Sequence, residues 1–149
     1  MADSQPNIQV FNETGSDLPL SSENFDVIAS VLSASENCSF EFVEVVYVDE
    51  DEIIRINIEY LERDYVTDII TFRYDQSSEN SAIEGTLFCC APRIREQAAE
   101  FNQSEEQEFL RIYIHGLLHL VGYEDKTDEQ KEQMTSKENH YLNMASKEF

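Results

Sequence analysis

Basic residues are scarce in this chain, whose 149 residues include 10 lysines and arginines against 31 acidic residues, for a formal net charge of −21. Non-specific adhesion to nucleic acid needs a basic surface that displaces counterions, so this composition argues against it as a general property. Basic side chains could still collect on one face, and the candidates are Arg73, Arg93, Arg95 and Lys126. Scattered charges that offset nearby acids are an equally good interpretation.

Long apolar runs are also missing, no secretory signal is visible, and no disulfide pairing of the cysteines is expected. No apolar run approaches the roughly 20 residues that a membrane span needs, and the first residues lack a basic segment followed by an apolar one. The cysteines, Cys38, Cys89 and Cys90, are odd in number. Adjacent cysteines in a strand point to opposite faces and rarely pair. We therefore expect a cytoplasmic protein with reduced thiols and no membrane partner.

Only four glycines and three prolines punctuate the chain. The length predicts one domain over residues 1–149. β-branched and aromatic density predicts strands over residues 8–12, 39–48, 68–74 and 82–90. Capping residues and helical periodicity predict helices that begin near residues 22, 50, 91, 104 and 128, and a polar loop over residues 75–81. The expected fold is a single small α/β domain, in which a mixed sheet of about four strands packs against helices.

The most informative segment runs from His115 to Asp125. His115 and His119 are four residues apart, so both imidazoles project from one face of a helix. Gly122 follows where that helix would end, because glycine enters the left-handed C-cap conformation without steric cost. The chain can then return and bring Asp125 towards the imidazoles. Two imidazoles and one carboxylate predict a catalytic zinc site with one open position, although a carboxylate also widens the choice of divalent metal.

A single histidine on an apolar helix face is usually a packed core residue. Two at this spacing, within the apolar stretch 112–121, are harder to bury without a shared partner, which favours a metal site. His140, the third histidine, is expected to be a solvated surface residue. Zinc peptidases with similar spacing carry a glutamate after the first histidine as general base, and here that position is Gly116. The substitution argues against proteolysis but not against hydrolysis.

The histidine segment resembles the motif of the YbeY family, the rRNA maturation factors that are also described as metal-dependent endoribonucleases. It matches that motif at His115, Gly116, Leu118, His119, Leu120, Gly122 and Tyr123. A second family block is recognisable over residues 57–72, with matches at Asn57, Tyr60, Asp64, Thr67, Asp68 and Phe72.

The resemblance implies a zinc-dependent endoribonuclease that acts on single-stranded RNA in rRNA maturation and in ribosome assembly or quality control. It implies rRNA, the small ribosomal subunit or assembly factors as partners, and no DNA partner is expected. His115, His119 and Asp125 would hold one zinc ion. Three positions depart from the family: Asp125 stands for the third histidine ligand, Leu61 for an arginine, and Thr86 for an aspartate.

No catalytic residue beyond the ligands can be named from the sequence. Glu124 is a weak candidate base, and Asn57, Thr67 and Asp68 either order the site or serve as capping and turn residues. Because the family arginine is missing, a non-catalytic, metal-containing ribosome-assembly factor is a second hypothesis. An iron-dependent oxygenase is a third, since two histidines and a carboxylate also form that class's facial triad, but those ligands usually come from barrel strands.

Overall fold

Strands and helices alternate in the computed structural model, which describes residues 5–75 and 79–147. In these ranges the chain forms four strands and five helices. In chain order they are β1 (Ile8–Asn12), α1 (Ser22–Glu36), β2 (Phe40–Val48), α2 (Glu50–Leu61), β3 (Ile69–Arg73), β4 (Ile83–Cys90), α3 (Ala91–Glu100), α4 (Glu105–Val121) and α5 (Asp128–Ser146). Each element expected from the sequence is present.

The four strands of the described chain form one mixed sheet of order β1-β2-β4-β3. β1 and β4 both pair with β2 in parallel, whereas β3 is antiparallel to β4 and lies at the edge. Parallel neighbours such as β1 and β2 need a crossover connection, which α1 supplies. The predicted α/β fold with a mixed sheet of four strands is confirmed.

The sheet separates two hydrophobic cores of unequal size. Val43, Val45 and Tyr47 of β2 face the larger core, which α1, α3, α4 and α5 cover. The smaller core lies under α2 on the opposite face. Cys89 belongs to the larger core and Cys90 to the smaller one. Adjacent residues of a strand do point to opposite faces here, as expected.

Polar side chains set the starts of three helices. Ser21 and Thr127 each form a capping box, with Asn24 and Gln130 respectively. The sequence around Ser104 also predicts a capping box, but the structure gives α4 only the forward bond, in which Ser104 accepts a hydrogen bond from the backbone N–H of Gln107 at 3.1 Å. One satisfied N–H is still sufficient to mark the first turn of the helix.

Helix α5 continues to Ser146, whereas the sparse apolar residues of the sequence predict an end near residue 143. Its buried residues are Met134, Glu138, Tyr141 and Ala145. These positions are spaced four, three and four apart, which is one face of a helix. The stripe is hard to recognise in the sequence because a glutamate interrupts it.

Two expectations fall partly on undescribed residues. The predicted polar loop over residues 75–81 includes 76–78, and the predicted absence of a secretory leader concerns a segment that includes residues 1–4; both stretches lie outside the described residues. Within the described ranges, no helix combines the length and the apolar composition that crossing a membrane requires.

Candidate metal centre

The two motif histidines and Asp125 meet at one point. His115 and His119 lie one turn apart on α4, and their Nε2 atoms are 3.0 Å apart. Asp125 Oδ2 lies 3.4 Å from His115 Nε2 and 3.5 Å from His119 Nε2. The three atoms therefore form a nearly equilateral triangle. The imidazoles are largely buried, whereas the Asp125 side chain is 42% exposed, so the triangle has one side open to solvent.

A glycine turn brings Asp125 to this triangle. Gly122 ends α4 with φ 123° and ψ 0°, a conformation that side chains rarely adopt. Its N–H lies 3.1 Å from the carbonyl oxygens of both Leu118 and His119, and the Tyr123 N–H donates to Leu118 at 3.0 Å. These bonds satisfy the last carbonyls of the helix while the chain reverses. The turn expected at Gly122 is present.

Side chains from elsewhere in the fold fix this turn. Arg73 Nη1 of β3 donates to the Leu120 carbonyl at 2.8 Å, and Asn80 Nδ2 donates to the Val121 carbonyl at 3.0 Å. On the other side, the Tyr123 hydroxyl donates to Glu36 Oε1 at 2.7 Å. The end of α4 and the start of the turn are therefore attached to the sheet and to α1.

The donor set and its spacing fit a divalent metal. Two ligand atoms bound tetrahedrally to one zinc ion, each at about 2.05 Å, lie about 3.3 Å apart. The three edges of the triangle, 3.0, 3.4 and 3.5 Å, bracket that value. Two neutral Nε2 atoms that face each other need a proton or a cation between their lone pairs. His115, His119 and Asp125 form the group that could hold a metal ion among the described residues.

A carboxylate that the sequence motif does not contain lies behind His115. Glu138 Oε2 of α5 is 2.6 Å from His115 Nδ1, and Glu138 is only 7% exposed. Arg111 Nη1 donates to Glu138 Oε1 at 2.9 Å. Neither Glu138 nor Arg111 was predicted from the sequence to support the site. Glu138 lies 23 positions from His115 and 27 from Arg111, so no local pattern connects them. The sequence did contain one signal for Glu138: it lies four residues after Met134 and three before Tyr141, so a helix places it on the same face as these two apolar residues.

The pKa values of the two imidazoles move in opposite directions. Burial alone lowers the pKa of His115, but the hydrogen bond and charge of Glu138, helped by Asp125 and Asp68, raise it above its ordinary value. For His119, burial and the neighbouring His115 lower the pKa. A lowered pKa favours the neutral imidazole, which is the form that binds a metal.

Comparisons with known proteins match this chain to a family. The family model described as Endoribonuclease YbeY matches residues 11–146. The chain belongs to the YbeY family. An Endoribonuclease YbeY from Chlorobium limicola is 40% identical over 139 residues, which is 93% of both chains. One from Chloroherpeton thalassium is 44% identical over 107 residues, covering 72% of this chain and 74% of the relative.

A solved structure supports the same fold. The solution structure of a protein from Thermotoga maritima superposes with a TM-score of 0.62 at 28% identity. The match covers 95% of this chain and 90% of the other. The predicted membership of the YbeY family and the predicted fold class are both confirmed.

The remaining departures from the YbeY pattern lie on the α2 side of the sheet. Leu61 is the last residue of α2 and is 37% exposed. Because α2 ends there, Arg63 lies in the following loop rather than on the helix, and its Nη2 donates to Asn57 Oδ1 at 3.0 Å. Thr86 alternates with Leu87 of the larger core, so it faces away from α4, and it donates to Glu44 at 3.2 Å.

Asn57, Thr67 and Asp68 have two different roles. Asn57 is fully buried, and its Nδ2 donates to the Tyr65 carbonyl at 3.0 Å and to Thr67 Oγ1 at 3.1 Å. Both bonds hold the loop between α2 and β3, as expected for turn-forming residues. Asp68 instead influences the site, since its charge contributes to the raised pKa of His115.

The candidate basic residues do not form a free cationic surface. Arg93 is paired with Glu96 and Glu100, and Arg95 with Glu105. Arg73 Nε lies 2.8 Å from Asp75 Oδ1. Lys126 is 80% exposed, with its Nζ 3.8 Å from Glu124 Oε1. The interpretation that these charges offset nearby acids agrees with the structure.

The Arg73–Asp75 pair makes an acid-sensitive contribution to stability. The hydrogen bond from Arg73 lowers the pKa of Asp75 from 3.8 to about 2. A depressed carboxyl pKa contributes stability above pH 3.8, and that contribution is lost as the pH falls towards 2. We expect Asp75→Asn to lower the free energy of unfolding at pH 7 by about 1 kcal/mol, because solvent still reaches and partly screens a pair whose side chains are 24% and 10% exposed. Urea titrations at pH 7 and pH 2 should show a much smaller difference at pH 2.

The control for this prediction is Asp64→Asn, which alters an exposed carboxyl in the loop after α2. Its stability should differ little from that of the unaltered protein at either pH. An Asp75→Asn deficit that is equally large at pH 2 would contradict the assignment to the ionised carboxylate.

Proposed function

We propose that this protein is a zinc-dependent endoribonuclease that cleaves single-stranded RNA during rRNA maturation, with one zinc ion held by His115, His119 and Asp125. The observation that carries the proposal is the triangle of three ligand atoms with an open side, in a chain that belongs to the YbeY family. The names of the relatives support RNA as the substrate class. His115 and His119 come from a helix of an α/β domain rather than from barrel strands, which disfavours the oxygenase hypothesis.

The ligands supply positioned lone pairs, and the fold determines how rigidly they are held. When bound, a divalent metal supplies a Lewis acid that polarises a phosphate oxygen or acidifies a water molecule. His115 and His119 present Nε2 from consecutive turns of a buried helix, so their spacing follows from backbone hydrogen bonds. Asp125 adds a negative charge that makes the site less positive than a site of three imidazoles. Its side chain is 42% exposed, so solvent reaches the site from that side.

Zinc is the metal we propose because imidazole ligation and tetrahedral spacing suit it. Manganese, iron and nickel also accept a set of two histidines and one carboxylate, so the donor atoms alone do not single out zinc. We further propose a cytoplasmic location and contact with the small ribosomal subunit or its assembly factors. The three free thiols of the described chain support a reducing compartment.

Metal analysis of the purified protein tests the proposed site. We expect about one zinc per chain in protein prepared without chelator, and loss of that zinc in both His119→Ala and Asp125→Ala. Cleavage of a single-stranded RNA oligonucleotide should stop after chelation and return on adding zinc. Protein that holds no metal and regains none in zinc-containing buffer would overturn the proposal.

The second candidate function is a non-catalytic, metal-containing ribosome-assembly factor. It is favoured by Leu61, which replaces the family arginine, and by Arg63, which is tied back to Asn57. A fixed guanidinium stabilises phosphoryl transition states, so its loss weakens the case for catalysis. Full zinc occupancy without RNA cleavage would favour this alternative. A gain of cleavage in Leu61→Arg would then identify the missing arginine as the cause.

A further inference from the structure

The hydrogen bonds behind His115 indicate which ring nitrogen carries the proton. Arg111 Nη1 donates to Glu138 Oε1 at 2.9 Å, and Arg111 Nη2 donates to Asn139 Oδ1 at 2.7 Å. The remaining oxygen, Glu138 Oε2, faces His115 Nδ1 at 2.6 Å. A carboxylate can only accept, so the proton of this bond belongs to Nδ1. In the neutral imidazole, Nε2 then keeps its lone pair, and that is the atom that faces His119 and Asp125.

Burying the charge of Glu138 at this position costs free energy that the fold alone does not require. It lies on the buried face of α5, between Met134 and Tyr141. A buried ion pair is often no more stabilising than apolar residues of similar volume, since both charges lose their hydration. An apolar side chain would continue the stripe of α5 without that cost. The carboxylate therefore points to a task that an apolar residue cannot perform.

We propose that Glu138 is a positioning residue, which holds His115 in the Nδ1–H tautomer and aims its Nε2 at the metal, with Arg111 orienting the carboxylate. This inference rests on the proposed metal site and adds two residues to it. Carboxylates that accept from a metal-bound histidine orient the ring and make it a stronger ligand, and their loss weakens metal binding by about 10- to 100-fold.

Glu138→Gln is the sharpest test, because glutamine has nearly the same shape. In that variant Arg111 still needs an acceptor, so it takes the amide oxygen and turns the NH₂ group towards His115. An NH₂ group donates to Nδ1 and thereby moves the imidazole proton to Nε2, the atom that should bind the metal. We expect zinc affinity, measured by competition with a chromophoric chelator, to fall by about 10- to 100-fold while the fold is retained.

Two further measurements separate positioning from a merely structural role. Nitrogen-15 NMR of the metal-free protein, at a pH where both imidazoles are neutral, should show the His115 proton on Nδ1 in the unaltered protein and on Nε2 in Glu138→Gln. In an Arg111→Met background the amide is free to turn its oxygen to Nδ1, so the same substitution should cost less affinity. Glu132→Gln, an exposed position on the same helix, is the matched control and should change neither property.

The outcomes distinguish this inference from the proposed function. If the unaltered protein binds no zinc, the proposed site fails and the inference fails with it. If the unaltered protein binds zinc and Glu138→Gln binds it equally well, only the inference is overturned. A fall in affinity with the proton still on Nδ1 would overturn the tautomer assignment. A fall in affinity together with the change of tautomer would support it.

Discussion

Replacing His119 with alanine is expected to reduce cleavage of single-stranded RNA by about a thousandfold or more, because a bound metal contributes several kcal/mol to the transition state and each 1.4 kcal/mol is about tenfold in rate. The substitution removes one corner of the triangle and leaves His115 Nε2 and Asp125 Oδ2, 3.4 Å apart, as the remaining pair. Two ligands hold zinc far less tightly than three. Single-turnover cleavage of a labelled oligonucleotide, with zinc present, measures the loss.

The chain supplies its own control for this prediction. His140 is the third histidine, is exposed on α5 and lies outside the triangle. His140→Ala should therefore cleave RNA at the rate of the unaltered protein. Asp125→His, which installs the ligand typical of the YbeY family, should retain zinc, whereas Asp125→Ala should lose it. Cleavage by His119→Ala at the unaltered rate would show that the triangle is not the active centre.

Gly116→Glu is expected to prevent folding, with a loss of about 4 kcal/mol or more, because it would place a charged side chain in a filled and apolar part of the core. A Cβ at position 116 would lie 2.7 Å from Ile69 Cδ1 and 2.8 Å from Leu87 Cδ1. Both contacts are closer than van der Waals packing allows, and Leu87 is fully buried. Thermal and urea unfolding would measure the effect.

Two further variants test whether the filled core around position 116 causes that loss of stability. Gly116→Ala should cost about 1 kcal/mol, since its gain in helix propensity only partly offsets overpacking against the sheet. Gly15→Glu should also cost only about 1 kcal/mol, because nothing lies within 4 Å of its Cβ and the cost is confined to its φ of 80°. Normal stability of Gly116→Glu would mean that α4 does not pack this closely on β3 and β4.

The Gly116 result also bears on the type of chemistry. Zinc peptidases place their general base directly after the first histidine of the helix. Here the sheet occupies the space into which that side chain would project. The glycine therefore serves the packing of α4 on the sheet, and restoring the peptidase glutamate would disrupt the domain rather than convert it to a peptidase.

Local patterns were sufficient to predict the elements and to bring the three candidate ligands together. The helical spacing of His115 and His119, the glycine at the helix end and the nearby Asp125 lie within eleven residues, so short-range backbone geometry determines how they meet. The strands and most helix starts were also predictable, because alternation and capping act over a few residues. The end of α5 was not, since its buried face includes a glutamate whose partner is distant in sequence.

Tertiary structure alone decided how the site is held and what surrounds it. The Glu138 carboxylate reaches His115 from another helix, and Arg73 reaches the Leu120 carbonyl from the edge strand, 47 residues earlier in the chain. The pairing of Arg95 on α3 with Glu105 at the start of α4 likewise became visible only in the fold. The sequence by itself determined the candidate ligands, because their chemistry and spacing are local. The orientation, charge and rigidity of those ligands depend on contacts between segments far apart in the chain, which no local pattern encodes.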